Sequence, residues 1–161
     1  MTSSPNPTPS TSLRIGGTMT TVRPGGSASE DAALSLLVGY LSPGHALRHQ
    51  PPTPLELETA IAAIEDIVMP LAHSIPSGTQ LVTADALALR LCELAGSVSG
   101  SGGVLGIAVI EAQFNEMVDV SEGRPSAGSP YLDSALCGYL LILREFMHHL
   151  GFDDVIVEAA E

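Results

Sequence analysis

The strongest constraint on the fold is the segment from Ser129 to Val157, which is long and heavily apolar. Its apolar side chains recur at helical spacing and cover more than one helix face: Leu132, Leu136, Tyr139, Leu140, Leu141, Ile142, Leu143, Phe146 and Leu150. Ser129 and Pro130 are typical of a helix start, and Gly151 is typical of a helix end. A helix this apolar must be buried, so we expect residues 130–150 to form the centre of the fold.

Apolar periodicity predicts four further helices, at 30–41, 53–70, 84–95 and 104–122. Thr53, Pro54 and Glu56 give the second of these a capping-box start. Residues 104–110 could instead form a buried strand, because periodicity alone does not distinguish the two. Short strands are expected within 13–22, at 79–82 and at 154–157. The predicted fold is therefore mainly α with a few short strands, an α+β class with about five helices packed around the C-terminal helix 130–150.

The polar segments predict how this helical region is bounded. Residues 1–12 are rich in Ser, Thr and Pro, so we expect a disordered N-terminal tail. Residues 13–161 are then expected to form a single helix-rich domain. Glycine and serine dominate residues 96–103, which predicts a flexible loop between two helices.

The charge balance excludes several classes of partner. The net charge is −12, with six basic residues, all of them arginine. Such a chain repels phosphate backbones and anionic headgroups, so we expect neither nucleic acid nor membrane as a partner. No signal peptide or spanning segment is apparent, so a cytoplasmic location is expected. Because only 15% of the residues are charged and 45% are hydrophobic, we expect apolar surface to be hidden in a homodimer.

The densest group of reactive side chains lies near the end of the C-terminal helix and includes Arg144, Glu145, His148 and His149. Glu145 and His148 are three residues apart, a spacing that places a carboxylate and an imidazole on one helix face and occurs in di-iron helical bundles. The alternative is that this polar turn only complements the helix C-terminus. Glu145 and His148 are thus candidate metal ligands, and Arg144 is a candidate ligand-binding residue.

Three segments resemble the exopolyphosphatase and guanosine-pentaphosphate phosphatase family of the actin-like ATPase superfamily. Gly16-Gly17-Thr18-Met19-Thr20-Thr21 is similar to a Gly-Thr-Ala-x-Thr stretch of the family. The segment TPLELETAIAAIEDIV, which starts at Thr53, is similar to the helix that follows that stretch. The segment ALCGYLLILREFMHHLGFDDVIV resembles a family helix that ends in Leu-Gly and precedes a strand.

The resemblance implies a shortened relative of the C-terminal part of the family, without its catalytic half. It also implies that Gly17, Thr18 and Thr21 contact phosphate, and that Mg²⁺ accompanies any phosphatase activity. No other cofactor is expected.

The sequence therefore supports three functions. The first is a non-catalytic acidic domain that dimerises and binds a partner or a small ligand, so that the chain is not expected to be an enzyme. The alternative is a divergent or truncated phosphoanhydride phosphatase-like protein. The third is a metal-binding helical protein that uses Glu145 and His148. The identity of the substrate or ligand does not follow from the sequence.

Overall fold

The computed structural model describes residues 8–26, 32–42, 47–125 and 127–159. These residues form a seven-stranded mixed sheet and four α-helices. The strands are β1 (Ser10–Ile15), β2 (Thr20–Arg23), β3 (Leu34–Leu36), β4 (Gln80–Thr83), β5 (Val98–Ser99), β6 (Gly102–Gly106) and β7 (Asp154–Val157). The helices are α1 (Pro54–Val68), α2 (Ala86–Ala95), α3 (Ile107–Ser121) and α4 (Ser134–Leu150). Short 3₁₀ helices follow α1 and precede α4.

The sheet has the strand order β3-β2-β1-β4-β7-β6-β5. β1, β4 and β7 are mutually parallel, and the remaining pairs are antiparallel. The carboxyl ends of the three parallel strands therefore meet at one edge of the sheet, where the β1–β2 turn also lies. In open sheets with parallel strands, this edge is the usual place for ligands.

The two faces of the sheet differ in burial because side chains alternate along each strand. The inner face carries Leu13, Leu81, Leu105 and Val155, all of which are buried in the hydrophobic core with the helices. The outer face carries polar and partly exposed side chains that take no part in this core: Ser12, Arg14, Thr21, Val82, Val104 and Ile156.

Helix α4 is the central helix, as the sequence predicts. Every residue from Leu136 to Leu143 is buried, and the helix packs on α1, α2, α3 and β1. Its end is confirmed at Gly151, which adopts the left-handed conformation with φ 73°. Its start was expected at Ser129 and Pro130, but these residues begin the 3₁₀ helix Pro130–Leu132. Helix α4 begins after Asp133, whose carboxylate accepts from the N–H groups of Ala135 and Leu136.

The α+β class is confirmed, although the emphasis on helices was too strong: of the residues that the structure describes, 46% are helical and 20% are in strands. The helix expected at 30–41 is wrong for the described part of that range, since residues 34–36 form β3 and residues 27–31 lie outside the described residues. Leu34 pairs with Val22 and Leu36 with Thr20. The alternation of leucine and serine on the edge of a sheet therefore outweighs the helical spacing of the leucines.

Two neighbouring regions contain strands. Residues 104–110, for which periodicity allows either helix or strand, contain both, with β6 ending at Gly106 and α3 beginning at Ile107. The expected flexible loop at 96–103 contains the β5–β6 hairpin, because Gly100 adopts φ 64° and lets the chain turn between Ser99 and Gly102. Strand β1 begins at Ser10, within the predicted N-terminal tail, and residues 1–7 of that tail lie outside the described residues.

Cys92 and Cys137 are buried free thiols, and burial raises the pKa of both. In the part of the chain that the structure describes, no helix combines the length and apolarity needed to cross a membrane.

Candidate functional site

The β1–β2 turn lies at the edge where the parallel strands end. Ile15 and Thr20 are the last paired residues of the hairpin, and the N–H of Gly16 donates to the carbonyl of Met19 at 2.9 Å. Glycine suits position 16 because a Cβ atom there would lie 2.8 Å from the carbonyl oxygen of Met19, and at Gly17 it would lie 3.1 Å from the Leu41 side chain.

The loop after β3 packs directly on this turn. The N–H of Tyr40 donates to the carbonyl of Gly16, and the N–H of Leu41 donates to the carbonyl of Gly17, both at 2.9 Å. A Cβ atom on Gly39 would lie 2.4 Å from the nitrogen of Thr18, so only glycine fits there. The two carbonyls are thereby satisfied by the loop, whereas the N–H groups of Gly17 and Thr18 find no acceptor among the described residues.

A small cavity of about 280 Å³ opens above the turn. Its lining consists of Arg14, Gly16, Gly17, Thr18, Met19 and Thr21. Arg14 and Thr21 are direct cross-strand partners, so their side chains share the outer face of the sheet. Among the described residues, the arginine ion pairs involve Arg90, Arg124 and Arg144 but not Arg14.

The carboxylate of Asp85 and the phenol of Tyr139 anchor the β1–β2 turn. Asp85 follows β4, and its Oδ2 atom accepts from the N–H of Ile15 at 2.8 Å and from the hydroxyl of Tyr139 at 3.0 Å. Burial, together with the neighbouring Asp85 carboxylate, raises the pKa of Tyr139 well above its ordinary value. Tyr139 therefore remains a hydroxyl donor at all ordinary pH values, and it ties the turn to α4.

This arrangement can recognise an anion. A guanidinium, a threonine hydroxyl and backbone N–H groups are all donors, and such donors bind phosphoryl oxygens well. The described lining contains no aspartate, glutamate or histidine, so it offers no general base of its own.

The structure brings three of the predicted ligand-binding residues together and separates the fourth. Gly17, Thr18 and Thr21 line the same cavity. Arg144 does not: its Nε lies 3.0 Å from Glu111 Oε1, and its guanidinium lies 4.1 Å above the Phe114 ring. The arginine that lines the cavity is Arg14, which was not among the ligand-binding residues predicted from the sequence. Strand alternation through the hairpin could have identified it, because Arg14 and Thr21 are equally far from the Ile15–Thr20 pair.

Of the two predicted metal ligands, only Glu145 lies in a cluster of possible ligands among the described residues. Glu145 is buried, whereas His148 is exposed and takes part in none of the ion pairs recorded in the described ranges. The neighbouring His149 takes its place, with Nε2 lying 3.1 Å from Glu145 Oε2 and 3.3 Å from Glu65 Oε1. Glu65, on α1, was not foreseen, since only the packing of α1 on α4 brings it near.

The fold is similar to that of solved phosphatases. The structure of the Ppx/GppA phosphatase from Aquifex aeolicus matches with a TM-score of 0.71 and 17% identity, covering 94% of this chain and 53% of the other. An exopolyphosphatase from Cytophaga hutchinsonii matches with a TM-score of 0.65 and 15% identity, covering 94% of this chain and 53% of the other. No family model and no curated protein matches the sequence.

These similarities confirm the expected resemblance at the level of the fold. The chain spans about half the length of the structures it matches, which is consistent with the C-terminal part of the exopolyphosphatase and guanosine-pentaphosphate phosphatase family.

Proposed function

We propose that the chain is a divergent or truncated phosphoanhydride phosphatase-like protein, and that its β1–β2 turn binds a phosphoryl group. The observation that carries the proposal is the cavity lined by Arg14, Gly17, Thr18 and Thr21, in which Arg14 and Thr21 are cross-strand partners. The same donors would meet the oxygens of one terminal phosphate, with the guanidinium supplying the charge.

The fold supports this proposal over a purely non-catalytic interaction domain. The matched structures are described as a Ppx/GppA phosphatase and an exopolyphosphatase. The shared fold therefore favours phosphoanhydride chemistry as the function of this chain. A chain of net charge −12 repels a polyanion, so Mg²⁺ bound to the ligand would lower that repulsion. The cavity itself accounts for binding, and a general base for hydrolysis would have to come from outside its lining.

Calorimetry with tripolyphosphate, with and without Mg²⁺, tests the binding step. We expect Arg14→Gln to weaken binding about tenfold or more, because a charge-assisted hydrogen bond contributes roughly 1.5–3 kcal/mol. Arg23→Gln is the matched control, since Arg23 is an exposed arginine of the same hairpin that does not line the cavity. Equal affinity of the wild type and Arg14→Gln would disprove the assigned site.

Phosphate release from polyphosphate and from nucleotides with Mg²⁺ tests the catalytic part separately. Binding without release would leave a phosphate-binding protein that has lost the reaction. If neither binding nor release is detected at millimolar ligand, the proposed function is wrong.

A further inference from the structure

A second cluster of reactive side chains lies between α1 and α4, away from the cavity at the β1–β2 turn. One ligand atom each from Glu65, Glu145 and His149 lies within 4.8 Å of the other two. None of these residues lines the cavity of the proposed function. The cluster therefore requires its own explanation.

The sequence places these groups by helix geometry and by packing. Glu145 and His149 are four residues apart in α4, so their side chains lie above one another on the same face. Glu65 follows Ile64, a buried residue in the face of α1 that packs against the core. Contact between α1 and α4 brings the Glu65 carboxylate to the imidazole of His149.

The distances fit shared coordination better than they fit paired hydrogen bonds. Nε2 of His149 faces two carboxylate oxygens, at 3.1 and 3.3 Å, but carries at most one hydrogen. Charge-assisted N–H···O bonds are usually shorter, at about 2.7–2.9 Å. Ligands about 2.0–2.1 Å from a tetrahedral ion are roughly 3.3 Å apart, close to the two separations from His149 Nε2.

The buried carboxylate is held in place by an outer layer of contacts. Glu145 is only 1% exposed, and its Oε1 atom is bound by Nη1 of Arg144, which leaves Oε2 directed at His149. Arg144 is fixed in turn by Glu111 and by the ring of Phe114. Metal sites use such outer contacts to orient a ligating carboxylate.

The local charge favours a divalent cation. The cluster and its neighbours contain three carboxylates, from Glu65, Glu111 and Glu145, and one guanidinium, from Arg144, so two negative charges remain when His149 is neutral. A neutral imidazole is the form that coordinates a metal. The side chains of Glu65 and His149 are 39% and 21% exposed, which leaves the cluster accessible to an ion from solvent.

We propose that Glu65, Glu145 and His149 bind a divalent transition-metal ion of the Zn²⁺ class. A mixed set of one imidazole and two carboxylates suits Zn²⁺ or Co²⁺ better than Mg²⁺ or Ca²⁺, which prefer oxygen ligands alone. Three protein ligands and partial exposure leave one coordination position for water.

The test uses the full chain, purified without a metal-affinity tag and treated with a chelator. We expect one equivalent of Zn²⁺ to bind in calorimetry, and Co²⁺ to give the visible absorption typical of a site with four ligands. His149→Gln and Glu65→Gln should each weaken binding at least about tenfold, since even outer contacts of a metal site are worth roughly 10–100-fold. His148→Gln and Asp66→Asn, which alter exposed neighbours of the same types, should leave binding unchanged.

Thermal unfolding in the presence of chelator shows whether each variant is folded before metal is added. A folded wild type that binds no Zn²⁺ or Co²⁺ stoichiometrically would reduce the cluster to an ion-pair network and overturn the proposal. Equal losses in His148→Gln and His149→Gln would do the same. Neither result bears on phosphate binding at Arg14, so this inference and the proposed function are tested independently.

Discussion

At the scale of single residues, Glu56 shows how the start of α1 is specified. Its N–H donates to Thr53 Oγ1 at 3.3 Å, and its Oε2 atom accepts from the N–H of Thr53 at 2.9 Å, which confirms the capping box. Its Oε1 atom accepts from the N–H of Arg48 and lies 2.9 Å from His49 Nδ1. Partial burial raises the pKa of Glu56, but these hydrogen bonds outweigh it and lower the pKa from 4.5 to about 2.

We expect Glu56→Gln to reduce the free energy of unfolding by about 1 kcal/mol at pH 7, because an amide offers one acceptor oxygen in place of two. A lowered carboxyl pKa stabilises the fold above pH 4.5, and that contribution is lost as the pH falls towards 2. The difference between wild type and variant should therefore narrow below about pH 4.5 in urea denaturation. Glu58→Gln, an exposed change in the same helix, is the control, and a gap independent of pH would contradict this account.

The residues of the two candidate sites were only partly predictable from sequence. Gly17, Thr18 and Thr21 lie within five residues of one another, so the resemblance of one short segment was enough to group them. Arg144 and His148 were chosen for their chemistry within a helix, but packing decides which side chains of a helix meet a partner. His149 and Glu65 meet only because α1 lies against α4, and a single helix pattern carries no information about that contact.

At the scale of elements, α4 and the loop after β3 touch through main-chain atoms. A Cβ atom on Gly138 would lie 2.2 Å from the carbonyl oxygen of Tyr40. This glycine lies inside an α-helix, where glycine normally costs about 1 kcal/mol relative to alanine. Glycine is needed at this position because a side chain would prevent α4 from approaching the loop that supports the β1–β2 turn this closely.

Gly138→Ala should therefore destabilise the protein, by about 1–3 kcal/mol, because the clash with a backbone atom exceeds the gain in helix propensity. Urea denaturation measures the difference in free energy of unfolding. Ser134→Ala, in the first turn of the same helix, should change stability by less than about 0.5 kcal/mol. An unchanged or more stable Gly138→Ala variant would show that the helix can move away from Tyr40 without cost.

Elements with a long or strongly signalled pattern were predictable, and short edge elements were not. The capping box at Thr53 and the continuous apolar surface of α4 each identify a helix without tertiary information. β3 has three residues and depends on pairing with β2, so its leucines fit a helix equally well in isolation. The β5–β6 hairpin is held by pairing with β7, which lies about fifty residues further along the chain.

At the scale of the whole molecule, the outer face of the sheet carries an apolar row that lies outside the described core. Val82, Ile156 and Val104 are in register on three adjacent strands and belong to no described core contact. Arg14 and Arg23 lie on the strands to one side of this apolar row. The exposed Asp154 and Glu158 lie on or directly after β7.

Because of this apolar row, we propose a second copy of the chain as the partner for the face. A twofold axis running along the strands between two facing sheets would bring the two outer faces together. The apolar rows would then meet at the centre, which suits the chain's low fraction of charged residues.

Light scattering coupled to size exclusion should accordingly give a dimer at micromolar concentration, and Val104→Asp or Ile156→Asp should shift it to a monomer. Val104 is 50% exposed, so a charge there is tolerated in a monomer but would be buried without a partner in the dimer. Leu55→Asp, on the exposed start of α1, is the matched control and should leave the dimer intact. A wild type that elutes as a monomer, or a dimer that survives both substitutions on the face, would rule out this interface.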